Sequence, residues 1–356
     1  MTDPVATFRG KKEAKAKTVS RLSLGLVAGL LLVISAFISG WMFGPGPRAK
    51  EGENTIFIVE RGDGAAGIAT RLRAAKLINS TFGFRVVTNL GSAAAGLKPA
   101  EYEIPSRASP SKIAEILASG KGVKRSVTLP EGWSVSQIYA RLETNTILVG
   151  DLPPMPPEGS LNPDTYVIQR GDTRADIIKR MRQSQEDMLQ ELWLKRAPDL
   201  PIRSKAEAVT LASIVEKETG IAEERPRVAA VFINRLRKGM KLQSDPTIIY
   251  GITKGAPLRR KIFRSDLQNP HPWNTYVING LPPTPIANPG RAAIAAVLNP
   301  PTSEELFFVA DGTGGHIFSE TYAEHNRNVQ RWREFRRNEE AKDDDLSGAD
   351  SEVTLK

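Results

Sequence analysis

The chain has 356 residues, 40% hydrophobic and 25% charged, which excludes a wholly disordered protein and suits about two folded domains of ~150 residues each. It contains no cysteine and only three histidines, which excludes disulfides, thiolate zinc sites and cysteine nucleophiles and argues against a histidine-rich metal centre. The formal net charge of +9 suits a polyanionic partner but does not distinguish nucleic acid, anionic lipid and other polymers.

An uncharged run of 23 residues, 22–44, predicts a single transmembrane helix, because at 1.5 Å per residue it can cross a ~30 Å hydrocarbon core. The segment before it, 1–21, is basic, so the positive-inside rule predicts that this segment is cytoplasmic and that everything after Pro45 lies outside. The alternative is a cleaved signal peptide, whose apolar region is normally ~7–15 residues long and ends in a small-residue cleavage site. The anchor interpretation predicts a protein of the inner membrane and disfavours nucleic acid as its partner.

A short motif recurs after a polar, Pro- and Gly-containing linker at 45–54. The stretches VERGDG, LPEGWS and IQRGDT each precede two apolar residues at i, i+4 spacing, and a weaker copy without the glycine runs from Ile104 to Leu117. The pattern predicts a strand, a turn, an N-capping residue and an amphipathic helix. The first copy resembles a LysM-like module, a strand–helix–helix–strand fold that commonly binds N-acetylglucosamine polymers. We therefore expect a LysM-like glycan-binding region over 55–150, the alternative being a recurring β-turn-α element without sugar affinity.

A proline-rich stretch near 150–159 marks a second boundary, after which 176–196 and 205–222 read as helices. On a helical projection of the second segment, Glu218 falls within the apolar face and Glu216 falls on the opposite, solvated face. A core-facing carboxylate has a raised pKa, which suits a general acid. The pattern leaves two alternatives open, a buried glutamate paired with an arginine such as Arg235 and a helix that frays before Gly220.

Polar and aromatic side chains fill the Gly- and Pro-rich loops that follow, and they are the groups that typically bind carbohydrate. A β-hairpin is predicted from Phe307–Val309 and His316–Phe318. Six blocks in this part of the chain, LASIVEKET, VFINRL, GMKLQSDPTIIYG, NTY, GLPPTPIANPG and FVADGTGGHIFS, together resemble the YceG-like family.

The resemblance implies cleavage of the β-1,4 bond between N-acetylmuramic acid and N-acetylglucosamine in peptidoglycan, with Glu218 as the catalytic residue and without a metal or cofactor. It implies a lytic transglycosylase, in which the muramyl C6 hydroxyl closes a 1,6-anhydro ring. The positions that match the cleft of the family are Gln243, Asp245, Tyr250, Asn274, Tyr276 and His316. A departure at Asn162, where the family often has an aromatic residue, predicts a difference in one glycan subsite.

Two alternatives remain. A muramidase would use Glu218 as acid and Asp245 as nucleophile or base, and a non-catalytic scaffold would only bind glycan at the membrane. The anchor also predicts action on nascent strands near synthases of the penicillin-binding protein class.

The fold class expected is α+β: a single N-terminal transmembrane helix, a LysM-like β-α subdomain and a mixed α/β catalytic domain over 151–337. An acidic tail, 338–356, is expected to be disordered.

Overall fold

The computed structural model describes residues 26–48, 54–90 and 96–352. Helices and strands are mixed along this part of the chain, as expected. The first helix, α1 (Leu26–Phe43), has a mean hydropathy of 2.2, no buried residue, and the length and composition to cross a membrane. The predicted cytoplasmic segment, 1–21, and the first residues of the predicted span, 22–25, lie outside the described residues.

The chain divides into two compact units. The first unit comprises residues up to Arg125 together with Gln169–Gly171, and the second comprises Ser126–Ile168 and Asp172 onwards. The sequence had placed this boundary after residue 150. The division falls earlier because the strand beginning at Arg125 is hydrogen-bonded to a strand near residue 165.

Among its described residues the first unit has two antiparallel strands and three helices besides α1. In chain order the elements are β1 (Thr55–Val59), α2 (Ala65–Ala74), α3 (Thr81–Leu90), β2 (Ala100–Ile104) and α4 (Pro110–Ser119). The two strands pair with Thr55 opposite Ile104 and Val59 opposite Ala100. Their inner face and the helices bury a core that includes Phe57, Phe84 and Tyr102. The Tyr102 hydroxyl donates to the carbonyl oxygens of Lys98 at 2.7 Å and Leu117 at 2.9 Å, so this buried ring leaves no polar atom unsatisfied.

The second unit contains two two-stranded sheets and eight helices within the described part of the chain. The elements are β3 (Arg125–Thr128, whose first residue is the last of the first unit), α5 (Val135–Glu143), β4 (Thr165–Ile168), α6 (Arg174–Leu194), α7 (Lys205–Glu218), α8 (Arg225–Arg237), α9 (Asp245–Thr253), α10 (Arg264–Gln268), α11 (Arg291–Leu298), β5 (Phe307–Ala310), β6 (His316–Ser319) and α12 (Tyr322–Glu352). Strand β3 pairs with β4, and β5 pairs with β6. Helix α7 is buried along most of its length and packs against α8 and α11 in the larger core.

The recurring sequence motif is confirmed as a recurring strand–turn–helix structure. Each of the strands β1, β2, β3 and β4 is followed by a turn and then a helix. The paired apolar residues of the four helices are all completely buried: Ile68 and Leu72, Ile113 and Leu117, Ile138 and Leu142, Ile177 and Met181. The side chains of Ser109, Ser134 and Thr173 cap three of these helices by accepting a backbone N–H.

The turn of each of the four strand–turn–helix copies places one residue in the left-handed region of φ/ψ space. Three copies use glycine there, at Gly62, Gly132 and Gly171, with φ of 89°, 74° and 93°. The weaker copy has Arg107 at the equivalent place, with φ of 63°. The missing glycine therefore did not remove the turn, although a side chain in this conformation carries a conformational cost.

The predicted hairpin is confirmed, with Phe307 opposite Ser319 and Ala310 opposite His316. Three other expectations differ from the structure. Helix α7 ends at Glu218 instead of 222, in agreement with the open alternative of a helix that ends before Gly220, because Thr219 is extended with φ of −136°. The backbone is helical to Glu352, where a disordered tail was expected from residue 338; Glu, Ala and Lys at 339–342 have high intrinsic helix propensity. The first part of the predicted linker, residues 45–48, is hydrogen-bonded to Arg107 of the first unit, and residues 49–53 lie outside the described part of the chain.

Candidate active site

Glu218 is the last residue of α7, within the second unit. The helix positions it through the apolar residues of the preceding turns, since Leu211, Ile214 and Val215 are fully buried in the core. The chain then turns away at Thr219, whose N–H donates to Val215 O at 3.4 Å. A carboxyl group therefore stands at the end of a rigid, core-packed helix, which is how a reactive side chain is held in a fixed position.

The start of α9 contributes Ser244 and Asp245 to the surroundings of Glu218. Ser244 is buried, and its N–H donates to Thr275 Oγ1 at 2.9 Å, while the N–H of Gln243 donates to Thr275 O at 3.1 Å. Thr247 Oγ1 lies 2.9 Å from the same Thr275 hydroxyl. These bonds attach the first turn of α9 to the 274–276 loop, so the two segments form one rigid wall.

Tyr276 and Asp245 form a direct hydrogen bond across that wall, with the phenol donating to Asp245 Oδ1 at 2.7 Å. Burial, followed by the neighbouring charge of Asp245, raises the pKa of Tyr276. The phenol is therefore protonated at neutral pH, and by donating its hydrogen bond it orients the Asp245 carboxylate. Of the predicted cleft residues, these two are brought together by the fold.

Asn274 is buried within its loop, whereas a glycan-binding side chain is expected to be exposed in a cleft. It is 1% exposed, and its Nδ2 lies within 3.1 Å of the carbonyl oxygens of Asp266, Leu267 and Asn269. Its Oδ1 accepts the N–H of Tyr276 at 3.0 Å. Asn274 thus shapes the loop that carries Tyr276. Gln243 is exposed and left-handed, with φ of 52°, immediately before Ser244.

His316, the first residue of β6, is held by a glutamate that the sequence analysis did not single out. Its Nδ1 lies 2.7 Å from Glu224 Oε2, and its backbone N–H donates to Glu224 Oε1 at 2.8 Å. Glu224 Oε2 also accepts the hydroxyl of Thr219 at 3.1 Å. Although burial acts in the opposite direction, the hydrogen bonds from His316 hold the pKa of Glu224 below its usual value. The only sequence signal for Glu224 was its position six residues after Glu218.

Arg235 adds a buried positive charge. The residue is 7% exposed, and its guanidinium donates to Leu306 O at 2.7 Å and Leu242 O at 2.6 Å. The sequence analysis left open an ion pair between Glu218 and Arg235. The structure does not have this pair, because the guanidinium donates to backbone carbonyl groups instead. Arg235 acts on Glu218 through its charge.

The electrostatic surroundings give Glu218 the properties of an acid–base group. Burial raises the pKa of Glu218 to about 7, and the negative charge of Asp245 adds to the rise. The hydroxyl of Ser244 and the charges of His316 and Arg235 act in the opposite direction. A group with this pKa can both give and take a proton near neutral pH.

This pKa predicts the pH dependence of the activity. A donor must be protonated, so kcat/KM should be highest below about pH 7 and should fall as the pH rises through about 7. The measurement is the pH profile of kcat/KM between about pH 5 and 9. Activity that stays constant to pH 9 would show that Glu218 is not the proton donor.

Glu216, on the same helix, is buried, which contradicts the expectation that it is solvated. Its side chain is 4% exposed and lies 3.0 Å from Arg225, and it accepts the N–H of Gly290 at 3.0 Å. Arg225 also lies 3.4 Å from Glu131 in the loop before α5. The helical projection considered α7 alone, whereas α8 and two loops cover this side of it.

Tyr250 belongs to a separate cluster. Its hydroxyl donates to Glu158 Oε2 at 3.4 Å, and Glu158 Oε1 accepts from Val135 N at 2.8 Å and from Asn288 Nδ2 at 3.0 Å. Burial raises the pKa of Glu158, and burial together with Glu158 raises that of Tyr250 to about 12. Tyr250 also lines a cavity of about 320 Å³ with Lys217 and Pro246, the chain neighbours of Glu218 and Asp245. Sequence reasoning missed Glu158, since nothing in its local pattern marks it as buried.

Asn162 lies inside the fold. It is 8% exposed, its Nδ2 donates to Ser184 Oγ at 2.9 Å, and its carbonyl oxygen accepts the Tyr166 hydroxyl at 2.8 Å. These bonds join the segment before β4 to α6. The expected change in a glycan subsite therefore has no support from the position of this side chain.

Comparisons with known proteins identify relatives across most of the chain. A model of the YceG-like family matches residues 57–331. An endolytic murein transglycosylase of Bacillus subtilis (strain 168) is 29% identical over 319 residues, covering 80% of this chain and 87% of the relative. The protein of the same name from Streptococcus pneumoniae serotype 2 (strain D39 / NCTC 7466) is 34% identical over 179 residues, which cover 48% of this chain and 31% of the relative. The crystal structure of a putative YceG-like protein from Listeria monocytogenes aligns with a TM-score of 0.49 and 28% identity, covering 77% of this chain and 98% of that one.

Proposed function

The chain belongs to the YceG-like family, and from that premise we propose that it is a lytic transglycosylase that cleaves peptidoglycan strands internally. The bond cleaved is the β-1,4 bond from N-acetylmuramic acid to N-acetylglucosamine, and the products carry 1,6-anhydro ends. The observation that carries this proposal is Glu218, whose pKa is raised to about 7 beside Asp245, at the end of a rigid helix.

In this mechanism Glu218 acts twice. Its protonated carboxyl group gives a proton to the glycosidic oxygen as the bond to the muramyl carbon breaks and that carbon becomes positively charged. The N-acetyl group of the substrate and the carboxylate of Asp245, oriented by Tyr276, stabilise this charge. Glu218, now a carboxylate, removes the proton of the muramyl C6 hydroxyl, whose oxygen attacks the same carbon and closes the ring. The proton that Glu218 lost is thereby recovered, and no water is consumed.

The identity of the product tests the reaction type. Full-length protein in detergent is incubated with isolated glycan strands, and the muropeptides are analysed by mass spectrometry. Ends carrying 1,6-anhydro-N-acetylmuramic acid are expected. Reducing ends would instead establish a hydrolase with Asp245 as base or nucleophile, an arrangement that its charge beside Glu218 also permits. Glycan binding without any cleavage would establish a scaffold.

The pair of Glu224 and His316 gives a prediction about positioning. Glu224→Gln removes the carboxylate that accepts from the ring and the N–H of His316, and a hydrogen bond to a charged group is worth about 1.5–3 kcal/mol. We expect kcat/KM to fall by about 10- to 100-fold. The matched control is Glu223→Gln, an exposed neighbour whose loss should change nothing. The double variant with His316→Gln should be no worse than the single variants, and full additivity would show that the two residues act separately.

We also propose that α1 anchors the protein in the inner membrane with the basic N-terminal segment in the cytoplasm. Support comes from the length and mean hydropathy of α1 and from the basic residues that precede it. A single cysteine introduced on either side of α1 gives an unambiguous topology measurement, since the natural chain has none. A membrane-impermeant maleimide should label only the cysteine on the C-terminal side. Labelling of the N-terminal site alone would reverse the orientation.

Glycan binding by the β1–α2–α3–β2 segment is a further proposal, supported by the order of its elements and its antiparallel strand pair. Hydrogen exchange of the full-length Glu218→Gln variant with N-acetylglucosamine oligomers should show protection over 55–104. Protection confined to the second unit would contradict a LysM-like role.

Cleavage of nascent strands beside synthases of the penicillin-binding protein class is proposed on the basis of the anchor. If an anchored form and a form released from the membrane set the same strand length in cells, this idea fails.

A further inference from the structure

The C-terminal end of α1 is packed into the first unit. Met42 contacts the core of that unit, and its carbonyl oxygen accepts the Ser111 hydroxyl at 2.9 Å. The indole of Trp41 lies directly on Gly83 of α3, where a β-carbon would come within 2.2 Å of the ring. The apolar helix is therefore joined to α3 and α4 by side-chain packing as well as by the chain itself.

The residues that follow α1 are also attached. The N–H of Gly46 donates to Arg107 O at 3.1 Å, and the N–H of Arg107 donates to Pro47 O at 3.2 Å. A β-carbon on Gly46 would lie 2.3 Å from Ala108 O, so only glycine permits this approach. Because residues 41–42 and residues 46–47 both contact the first unit, α1 is connected to this unit without a flexible segment between them.

The same contacts fix the depth of α3 relative to a bilayer. A span of ~30 Å takes about 20 residues, which puts Trp41, near the end of α1, at the level of the headgroups. The ring of Phe82 on α3 lies 6.3 Å from the ring of Trp41. Phe82 is 70% exposed and Phe43 is 68% exposed, so two large apolar side chains face outward at this level.

Exposed arginines lie in the segments that carry or follow these aromatic residues. Arg48, Arg85 and Arg107 are exposed, and the segments 41–48, 81–90 and 105–112 contain no acidic residue. Aromatic rings with arginines at the edge of a spanning helix fit the boundary between acyl chains and anionic headgroups. On the face of the β1–β2 sheet that points away from the core, Glu103 lies opposite Ile56 and is exposed, whereas Glu101, opposite Ile58, is buried and paired with Arg125 and Arg170.

We propose that the first unit docks on the surface of an anionic bilayer through a junction surface formed by Trp41, Phe43, Phe82, Arg48 and Arg85. The occupant of this surface is the headgroup region of the leaflet from which α1 emerges. The unit is thus held in one orientation against the membrane. This inference rests on the proposed anchoring by α1.

The test measures the depth of Phe82 directly. In the cysteine-free full chain, Phe82→Cys carries a bimane label, and Ile56→Cys, 50% exposed on the outer face of the sheet, is the matched control. Both proteins are reconstituted into vesicles of phosphatidylethanolamine and phosphatidylglycerol. At position 82 we expect strong quenching by spin-labelled lipids and at least tenfold weaker quenching by aqueous iodide than at position 56. Adding Arg85→Glu should weaken lipid quenching at position 82.

Flotation of the same vesicles after carbonate washing separates the two levels of the inference. If the protein remains in the vesicles and the label at position 82 is as accessible to iodide as the control, the docking is refuted while the anchor stands. If the protein is released by carbonate, α1 is not an anchor and the docking falls with it. Circular dichroism spectra and thermal unfolding midpoints of both labelled proteins in detergent should match those of the natural protein, which verifies that they are folded.

Discussion

Glu218→Gln is expected to reduce glycan cleavage by about 10²- to 10⁴-fold, the usual contribution of a positioned acid–base group. Glutamine preserves the size and the polar character of the side chain but cannot give or take the proton. Because the proposed reaction uses Glu218 both as acid and as base, no second carboxyl group replaces it. Initial rates on isolated glycan strands, with Glu223→Gln as the matched exposed control, give the measurement. A loss of less than tenfold would remove Glu218 from the mechanism.

The same variant should be more stable than the natural protein at alkaline pH. The folded-state pKa of Glu218 is raised from 4.5 to about 7, so ionisation above that pH places a charge in a desolvated site. The favourable contribution of the protonated group is fully present below about pH 4.5 and is lost as the pH rises through about 7. Glutamine does not ionise, and its effect on the unfolding midpoint should therefore be larger at pH 8 than at pH 5. An inactive but stabilised variant is the signature of a strained functional site.

Glu216→Ala is expected to cost about 1–3 kcal/mol in the free energy of unfolding of the second unit, since it removes a buried hydrogen-bond acceptor and leaves Arg225 with only its longer contact to Glu131. The partner is Arg225 at 3.0 Å, and the N–H of Gly290 loses its acceptor as well. Urea unfolding followed by tryptophan fluorescence reports this transition through Trp133, Trp193 and Trp273.

Two controls separate the loss of the buried Glu216–Arg225 ion pair from the effect of substitution as such. Glu223→Ala, at an exposed site, should change the stability by no more than about 0.5 kcal/mol. The double variant Glu216→Met with Arg225→Met should recover most of the loss, because apolar residues of similar size commonly replace a buried ion pair without cost. A cost below about 1 kcal/mol for Glu216→Ala would mean that water reaches this pair.

Local patterns in the sequence were sufficient for the secondary structure around the site. The i, i+4 apolar pairs predicted the four recurring helices, and the spacing of Leu211, Ile214 and Val215 predicted a desolvated Glu218 with a raised pKa, in agreement with the effect of burial on that pKa. Both predictions depend on positions within one helix turn, and these are set by backbone geometry alone. The left-handed backbone of Arg107 could not be predicted in this way, because a left-handed residue that is not glycine has no sequence signature.

The partners of each side chain could not be predicted in this way. Glu216 looked solvated on an isolated helix and is covered by Arg225, which belongs to α8. Asn274 has a side chain of the type that binds sugars, yet its amide nitrogen lies within hydrogen-bond distance of three carbonyl oxygens of the neighbouring backbone. Glu224 had no distinguishing pattern, and it meets His316 across 92 residues of chain.

The sequence by itself therefore determined the apolar span, the repeated strand–turn–helix units, the helix that presents Glu218 and the similarity to the YceG-like family. Only the tertiary structure decided which residues surround Glu218, which carboxylates are buried, and how α1 joins the first unit. The reason is physical: helix and turn formation depend on interactions within a few residues, whereas burial and pKa depend on groups that distant segments bring within a few ångströms. A charge such as that of Asp245 changes the chemistry of Glu218 only once the fold has placed the two together.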